Sequence, residues 1–187
     1  MNTDMRLQLS ISGADVQPAT NTRLLSLALV ASMLVVLSNP AVSQHLSIEL
    51  QIAPLSDIDR RFMNAQRAKI EALANREGRQ LGGIIRRDLE TLQVILDTRM
   101  IPRDDTLTQQ ALGIVLGDLL ATNLNMQWVV YRDRAGRSRA LKDKLGKIFI
   151  FPITMISRRY GSGAKVDVTA IYDKQAAKVN NIRPRDW

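Results

Sequence analysis

The sequence predicts an α+β fold: an N-terminal helical hairpin plus a buried helix packed on a small antiparallel sheet, with two short C-terminal helices. Three observations predict it. Apolar residues recur at helical spacing in three stretches between residues 57 and 124, alternate with period two in strands from Met126 to Phe151, and return to helical spacing after Pro152. With 187 residues, 45% of them hydrophobic, the chain can build one real core and is short for two.

A leader precedes the first helix. Residues 24–37, LLSLALVASMLVVL, follow Arg23 directly and give way to Ser38-Asn39-Pro40 and Ala41-Val42-Ser43. This charged, apolar and small-residue order is that of a secretory signal cleaved near Ser43, and the run is shorter than the roughly 20 apolar residues that span a bilayer. An uncleaved leader anchored in the inner membrane by residues 24–37 is the alternative. The 22 residues ahead of Arg23 are long for a charged n-region, and a translation start at Met5 or later would account for them. Residues 1–43 are thus a signal peptide with an extended N-region, 44–54 a connector, and 55–187 a single domain placed in the periplasm or secreted.

Ser56 or Asp57 caps a first helix in which Ile58, Phe62, Ala65, Ile70 and Leu73 recur at helical offsets, and Gly78 ends it. A second helix is expected from about Leu81 to Thr98, with Leu81, Ile85, Leu89, Leu92 and Leu96 on one face. Arg86, Arg87, Asp88 and Glu90 lie largely on the other. Gly82 and Gly83 each cost about 1 kcal/mol relative to alanine, so its first turn is frayed or bent. The hairpin covers 57–98, and Ile101-Pro102 breaks it off. Asp104, Asp105 and Thr106 offer caps to a third helix carrying Leu112, Val115, Leu116, Leu119 and Leu120 on a broad apolar face. It is expected to be the most buried. Gly113 and Gly117 stand one turn apart on it and let a neighbour approach the backbone.

The period then changes. In MQWVVYRD, Trp128 and Val130 face one way and Val129 and Tyr131 the other, and Asp133-Arg134-Ala135-Gly136 turns the chain into the polar strand SRALKD. Lys147 to Phe151 makes a third strand, apolar on both faces and expected to be covered on both. A simple meander would put the polar second strand in the middle. Either the third strand lies inside a different order, or helix side chains cover it at the edge. Pro152 opens a helix with Ile153, Ile156 and Tyr160 on one face up to Gly161. Beyond Gly161-Ser162-Gly163, Asp167 caps a last helix through Val168, Ile171, Tyr172, Gln175 and Val179. VDVTA alone also suits a short strand, but the helical pattern outruns strand length. Asn180 to Trp187 reads as an irregular end.

Composition excludes much chemistry. Without cysteine there are no disulfides, thiolate nucleophiles or zinc-thiolate sites, and His45 is the single histidine, beside the processing point. Asp118, Asp133 and Asp143 stand on different elements without metal-ligand spacing, and Ser157 has no identifiable base. No metal and no cofactor is expected. The formal charge is +8, and in the leader Arg6 and Arg23 are balanced by Asp4 and Asp15, so the basicity belongs to the folded part and favours anionic partners. Arg137, Arg139, Lys142, Lys144 and Lys147 read as a solvated basic sheet edge, of the kind that prevents edge-to-edge pairing. Trp128 and Tyr131 read as core rather than as a binding platform, because aromatics are 4% of the chain.

Taken in order, several motifs resemble a known family. They are Ala111-Leu112-Gly113 with Leu116-Gly117, Trp128-Val129-Val130, Phe151-Pro152 with Thr154-Met155-Ile156-Ser157 and Arg158-Arg159, then Val166-Asp167-Val168 and Tyr172. The set is similar to the bacterial domain of unknown function 3806, over roughly 105–178, with the helical hairpin and the leader outside it. The resemblance implies a bacterial protein and brings no activity, cofactor or catalytic residue with it.

One anion-binding constellation stands out: Arg158, Arg159 and Ser162. Arginine forks match phosphate or carboxylate, and the Gly161–Gly163 turn offers backbone donors. The same cations also suit the C-terminal end of a helix dipole. The sequence is therefore read as an exported, non-enzymatic cell-envelope interaction or structural module whose basic surface meets an anionic envelope component. One alternative is a small enzyme or anionic-ligand-binding protein using Arg158, Arg159 and the glycine turn. Another is an immunity or inhibitor-type protein that binds one partner protein. Export disfavours nucleic acid.

Overall fold

Ser56 accepts a hydrogen bond from the Asp59 amide at 3.2 Å, and the Asp59 carboxylate accepts one from the Ser56 amide at 3.1 Å. That reciprocal capping box opens α1 (Asp57–Arg76). It lies near the start of the computed structural model, which describes residues 49–182. The leader with residues 24–37, His45 and the tail beyond Ile182 lie outside the described residues.

The second helix, α2 (Ile85–Asp97), begins later than its apolar period suggests. Gly82 and Gly83 stay outside it, Gly83 at φ +80°, and their amides donate to the Asp88 carboxylate at 3.2 and 2.6 Å. Asp88, expected on the solvent face, is therefore buried. A carboxylate near the positive end of a helix is the natural acceptor for amides that no helix turn satisfies. Asp88→Ala is expected to lower stability by about 2 kcal/mol, the scale of hydrogen bonds to a charged group. Thermal denaturation measures the loss, and amide exchange at Gly82 and Gly83 should accelerate with it.

Asp105 caps α3 (Thr106–Leu124), accepting from the Thr108 amide at 2.9 Å. Residues 111–117 are all buried, so the middle of this helix is enclosed on every side and forms the centre of the core. Its glycines carry the expected close approach. A Cβ on Gly113 would lie 2.4 Å from the Ile153 carbonyl oxygen, and one on Gly117 would lie 2.3 Å from the Trp128 ring. Thus α4 (Ile153–Gly161), which starts just after Pro152, lies almost backbone to backbone on α3. The hairpin helices α1 and α2 touch, but their larger contacts are with α3 and with α5 (Val168–Ile182) respectively. Asp167 caps α5 by accepting from the Ala170 amide at 2.8 Å. The strand reading of VDVTA falls away, and the helix runs through Asn180, where an irregular end was expected.

Four antiparallel strands form a meander in the order β1-β2-β3-β4: β1 (Gln51–Pro54), β2 (Gln127–Asp133), β3 (Gly136–Lys142) and β4 (Phe149–Ile150). The first corrects the connector expected over 44–54. QIAP has no strand alternation of its own, and pairing with β2 makes it a strand. The polar β3 lies between β2 and β4, as in a simple meander, and the short β4 sits at the edge. Ile148 and Ile150 are buried there, whereas Phe151 remains 36% exposed, so the outer face of this strand is covered only in part.

The register assigns the two faces. Trp128 pairs with Leu141, Val130 with Arg139, and Leu141 with Ile150. This face meets the helices, since Trp128 packs on Gly117 and Arg137 and Arg139 reach Asp59 on α1. Ile52, Val129, Tyr131, Ala140, Lys142 and Phe149 take the opposite face. Ile70, Leu92, Ile95, Leu112, Leu116, Leu120, Leu141 and Ile156 are fully enclosed. Each such side chain contributes about 1.5–3 kcal/mol of transfer free energy.

Candidate functional site

A groove of about 520 Å³ opens between β4, α4 and α5. Helical periodicity builds one wall: Thr154, Met155, Arg158, Arg159 and Ser162 fall at i, i+4 offsets on the exposed side of α4. Gln175 and Lys178, one turn apart on α5, form the other, and Phe149 and Phe151 of the sheet edge supply an aromatic end. Arg158, Arg159 and Lys178 thus converge on one concavity with the hydroxyls of Thr154 and Ser162. Among the described residues lining it, none is acidic.

The structure brings the three expected residues, Arg158, Arg159 and Ser162, into this one site, but it changes the part played by the glycine turn. The Gly163 amide donates to the Tyr160 carbonyl at 3.0 Å and the Ala164 amide to the Arg159 carbonyl at 3.1 Å. Gly163 sits at φ +82° to do so. Those donors are used to close the C-terminus of α4, so the turn is a cap rather than a backbone anion cradle. Gly163 also lines a different hollow, with Arg103, Tyr160 and Lys165. The Ser162 hydroxyl donates to the Arg159 carbonyl at 2.8 Å and keeps its lone pairs, while Arg159 donates to the Met155 carbonyl and is fixed along the helix. Lys178 was not among the residues read from the sequence. The signal was present in the i, i+3 pair Gln175 and Lys178, but nothing local tells which face of α5 meets α4.

The other candidates resolve into structural roles. Asp118 accepts from Arg67 through both oxygens at 2.7 and 2.8 Å and from the Trp128 indole at 2.9 Å. Hydrogen bonding to Asp118 raises the Arg67 pKa above its ordinary value, so the guanidinium stays charged. Asp143 accepts from the Lys147 and Ile148 amides, and Asp133 from the Ala135 amide, each closing its own turn. Arg137 and Arg139 belong to an interior strand and bind Asp59, so they do not extend a basic edge. Trp128 is core, while the Tyr131 ring meets Phe149 and Phe151 edge-on, each at 5.1 Å between centroids, on the opposite sheet face. Ser157 is buried away from the groove. A second cavity of about 280 Å³ between α1, α2 and α3 holds Asp88 and Asp118, both already committed to internal partners. Among the described residues no cluster of histidine, cysteine, aspartate or glutamate is arranged to hold a metal ion.

The fold and groove define an α+β domain with a cationic, aromatic-ended concavity at the free edge of its sheet. Residues 88–172 match the family model of the domain of unknown function (DUF3806), the family that the motifs resemble. The match starts at Asp88 and so takes in most of α2, which the motif resemblance left outside. Arg158, Arg159 and Ser162 lie within the matched residues, and Lys178 lies beyond them. A crystal structure from Bacteroides thetaiotaomicron VPI-5482 is similar in fold, with a TM-score of 0.62 at 17% identity over 69% of this chain and 48% of that one. The chain thus spans about half the length of that protein. No curated protein matches the sequence.

Proposed function

We propose that the protein is a non-enzymatic binding module of the cell envelope that holds an anionic group in the groove formed by Arg158, Arg159, Lys178 and Ser162. The observation that carries the reading is the convergence of three cations from two helices on one concavity whose described lining has no acid. Such an arrangement raises the local concentration of anions and binds them with charge-assisted hydrogen bonds. The bias toward binding rather than catalysis rests on the residues available. Among the described residues Thr154 and Ser162 have no histidine, lysine or carboxylate base hydrogen-bonded to them, which nucleophilic catalysis requires. Placement in the envelope rests on the apolar run 24–37 and the small residues Ala41 and Ser43 that follow it.

Polyphosphate is a suitable soluble probe. Binding followed by titration calorimetry is expected to weaken steeply between about 50 and 200 mM salt, as charge-dominated contacts do. Arg158→Ser with Arg159→Ser should weaken it about tenfold or more at the lower salt, with thermal stability unchanged because both side chains are exposed. Salt-independent binding, or binding that survives the double substitution, would remove the groove from consideration.

A further inference from the structure

We infer that the exposed apolar groups on the outer face of the sheet and the basic groove together form a docking surface for an anionic lipid bilayer; this rests on the groove being an anion site. The register places Ile52 opposite Tyr131 on the face turned away from the helices. The Tyr131 ring in turn packs edge-on against Phe149 and Phe151. On this face Val129 and Ala140 are buried, and the apolar groups that reach the surface are Leu50 and Ile52 at the β1 side and Phe151 at the β4 side, with the half-buried Tyr131 and Phe149 between them. Ile52 is 39% and Phe151 36% exposed, and Leu50, just before β1, is 48% exposed.

These groups do not stop at the sheet edge. Phe149 and Phe151 are also the aromatic end of the groove that carries Arg158, Arg159 and Lys178. Lys142 shares the sheet face with Phe149, its partner in register. The acid on that face, Asp133, lies at the hairpin tip with its carboxylate accepting from the Ala135 amide.

An apolar, aromatic-rich surface continuous with a cluster of cations is complementary to one partner in particular, a layer with anionic headgroups above acyl chains. Aromatic rings suit the headgroup boundary and cations are drawn to its charge. Among the described residues no helix is long and apolar enough to cross a membrane. The attachment inferred here is peripheral, with the sheet lying on the surface.

The chain has no cysteine, so a single introduced thiol reports its own surroundings. The full-length protein carrying Ile52→Cys, labelled with an environment-sensitive fluorophore, is mixed with vesicles of phosphatidylglycerol and phosphatidylcholine. A blue shift is expected, whereas the same label at Ala72→Cys, exposed on α1 in the helical layer, should not respond. Pure phosphatidylcholine should give little shift. Adding Arg158→Ser and Arg159→Ser should weaken vesicle binding about 30-fold, the scale for two cations at an anionic surface.

A silent Ile52 label on protein that sediments with vesicles would overturn the inference, as would equal shifts at both positions or with neutral vesicles. A shift that appears without lipid as protein concentration rises would instead assign the face to a second copy. Polyphosphate binding with a silent Ile52 label would leave the groove reading standing and remove the bilayer. Loss of both would remove the two together.

Discussion

Asp59→Asn is expected to lower stability by about 3 kcal/mol, the lower end of the range for breaking a buried ion pair. The Asp59 side chain is 2% exposed and joins the start of α1 to β3. It accepts from Arg137 at 2.6 and 2.7 Å, from the Arg139 Nε at 2.9 Å, and from the Ser56 hydroxyl at 2.6 Å. Arg139 also lies over the Phe62 ring, 4.5 Å from its centroid, so the carboxylate aligns a cation that is itself packed on α1. Asparagine keeps the shape and loses the charge, leaving two guanidinium groups beside one neutral amide. The lower end applies because Arg137 and Arg139 remain 37% and 21% exposed and regain water when the pair is broken. Chemical denaturation with an unchanged m-value would measure it. A loss below about 1 kcal/mol would mean that the network behaves as a surface pair.

The same group sets a pH dependence. Burial pushes the Asp59 pKa up, but hydrogen bonds from Arg137 and Ser56 together with the Arg137 charge outweigh it and hold the carboxyl well below the usual range. In the unfolded chain Asp59 titrates near its ordinary value of about 3.9. As pH falls through that value the unfolded state takes up the proton first, so the stabilisation is complete above it and is lost toward lower pH. The wild-type protein is expected to lose stability faster than Asp59→Asn as pH is lowered from about 5 to 3. Parallel pH profiles for the two would contradict the assignment.

Gly113→Ala is expected to destabilise by about 2 kcal/mol, although alanine is the better helix former by about 1 kcal/mol. The methyl would stand 2.4 Å from the Ile153 carbonyl oxygen and 2.7 Å from its Cα, and backbone cannot rotate aside as a side chain can. Overpacking of this kind costs about 1–3 kcal/mol, sometimes more, and α4 must move to accommodate it. Because α4 carries Arg158, Arg159 and Ser162, polyphosphate affinity should fall with stability, even though Gly113 lies outside the groove lining. A variant that is stabilised, as helix propensity alone would have it, would mean that α3 and α4 are farther apart than the structure places them.

Much of this molecule is legible in local sequence. Caps at Ser56, Asp105 and Asp167, the apolar periods of α1 to α5, the hairpin turn before Gly136, and the need for small residues at 113 and 117 are all dictated within a few residues of where they act. The pair Arg158 and Arg159 is legible for the same reason, as consecutive residues on one helix. Other features depend on what the chain meets after distant segments come together. QIAP is a strand because β2, over 70 residues later, offers it hydrogen bonds, and Asp59 is an ion-pair centre because Arg137 and Arg139 arrive from the sheet. Asp118 is tied to α1 and β2 because Arg67 and Trp128 reach it, and Lys178 joins the groove because α5 lines it together with α4. Short-range hydrogen bonding and periodicity leave a signature in neighbouring residues. A contact between residues far apart in sequence leaves none, and at those contacts only the tertiary packing determines which charges are paired and which remain open to a ligand.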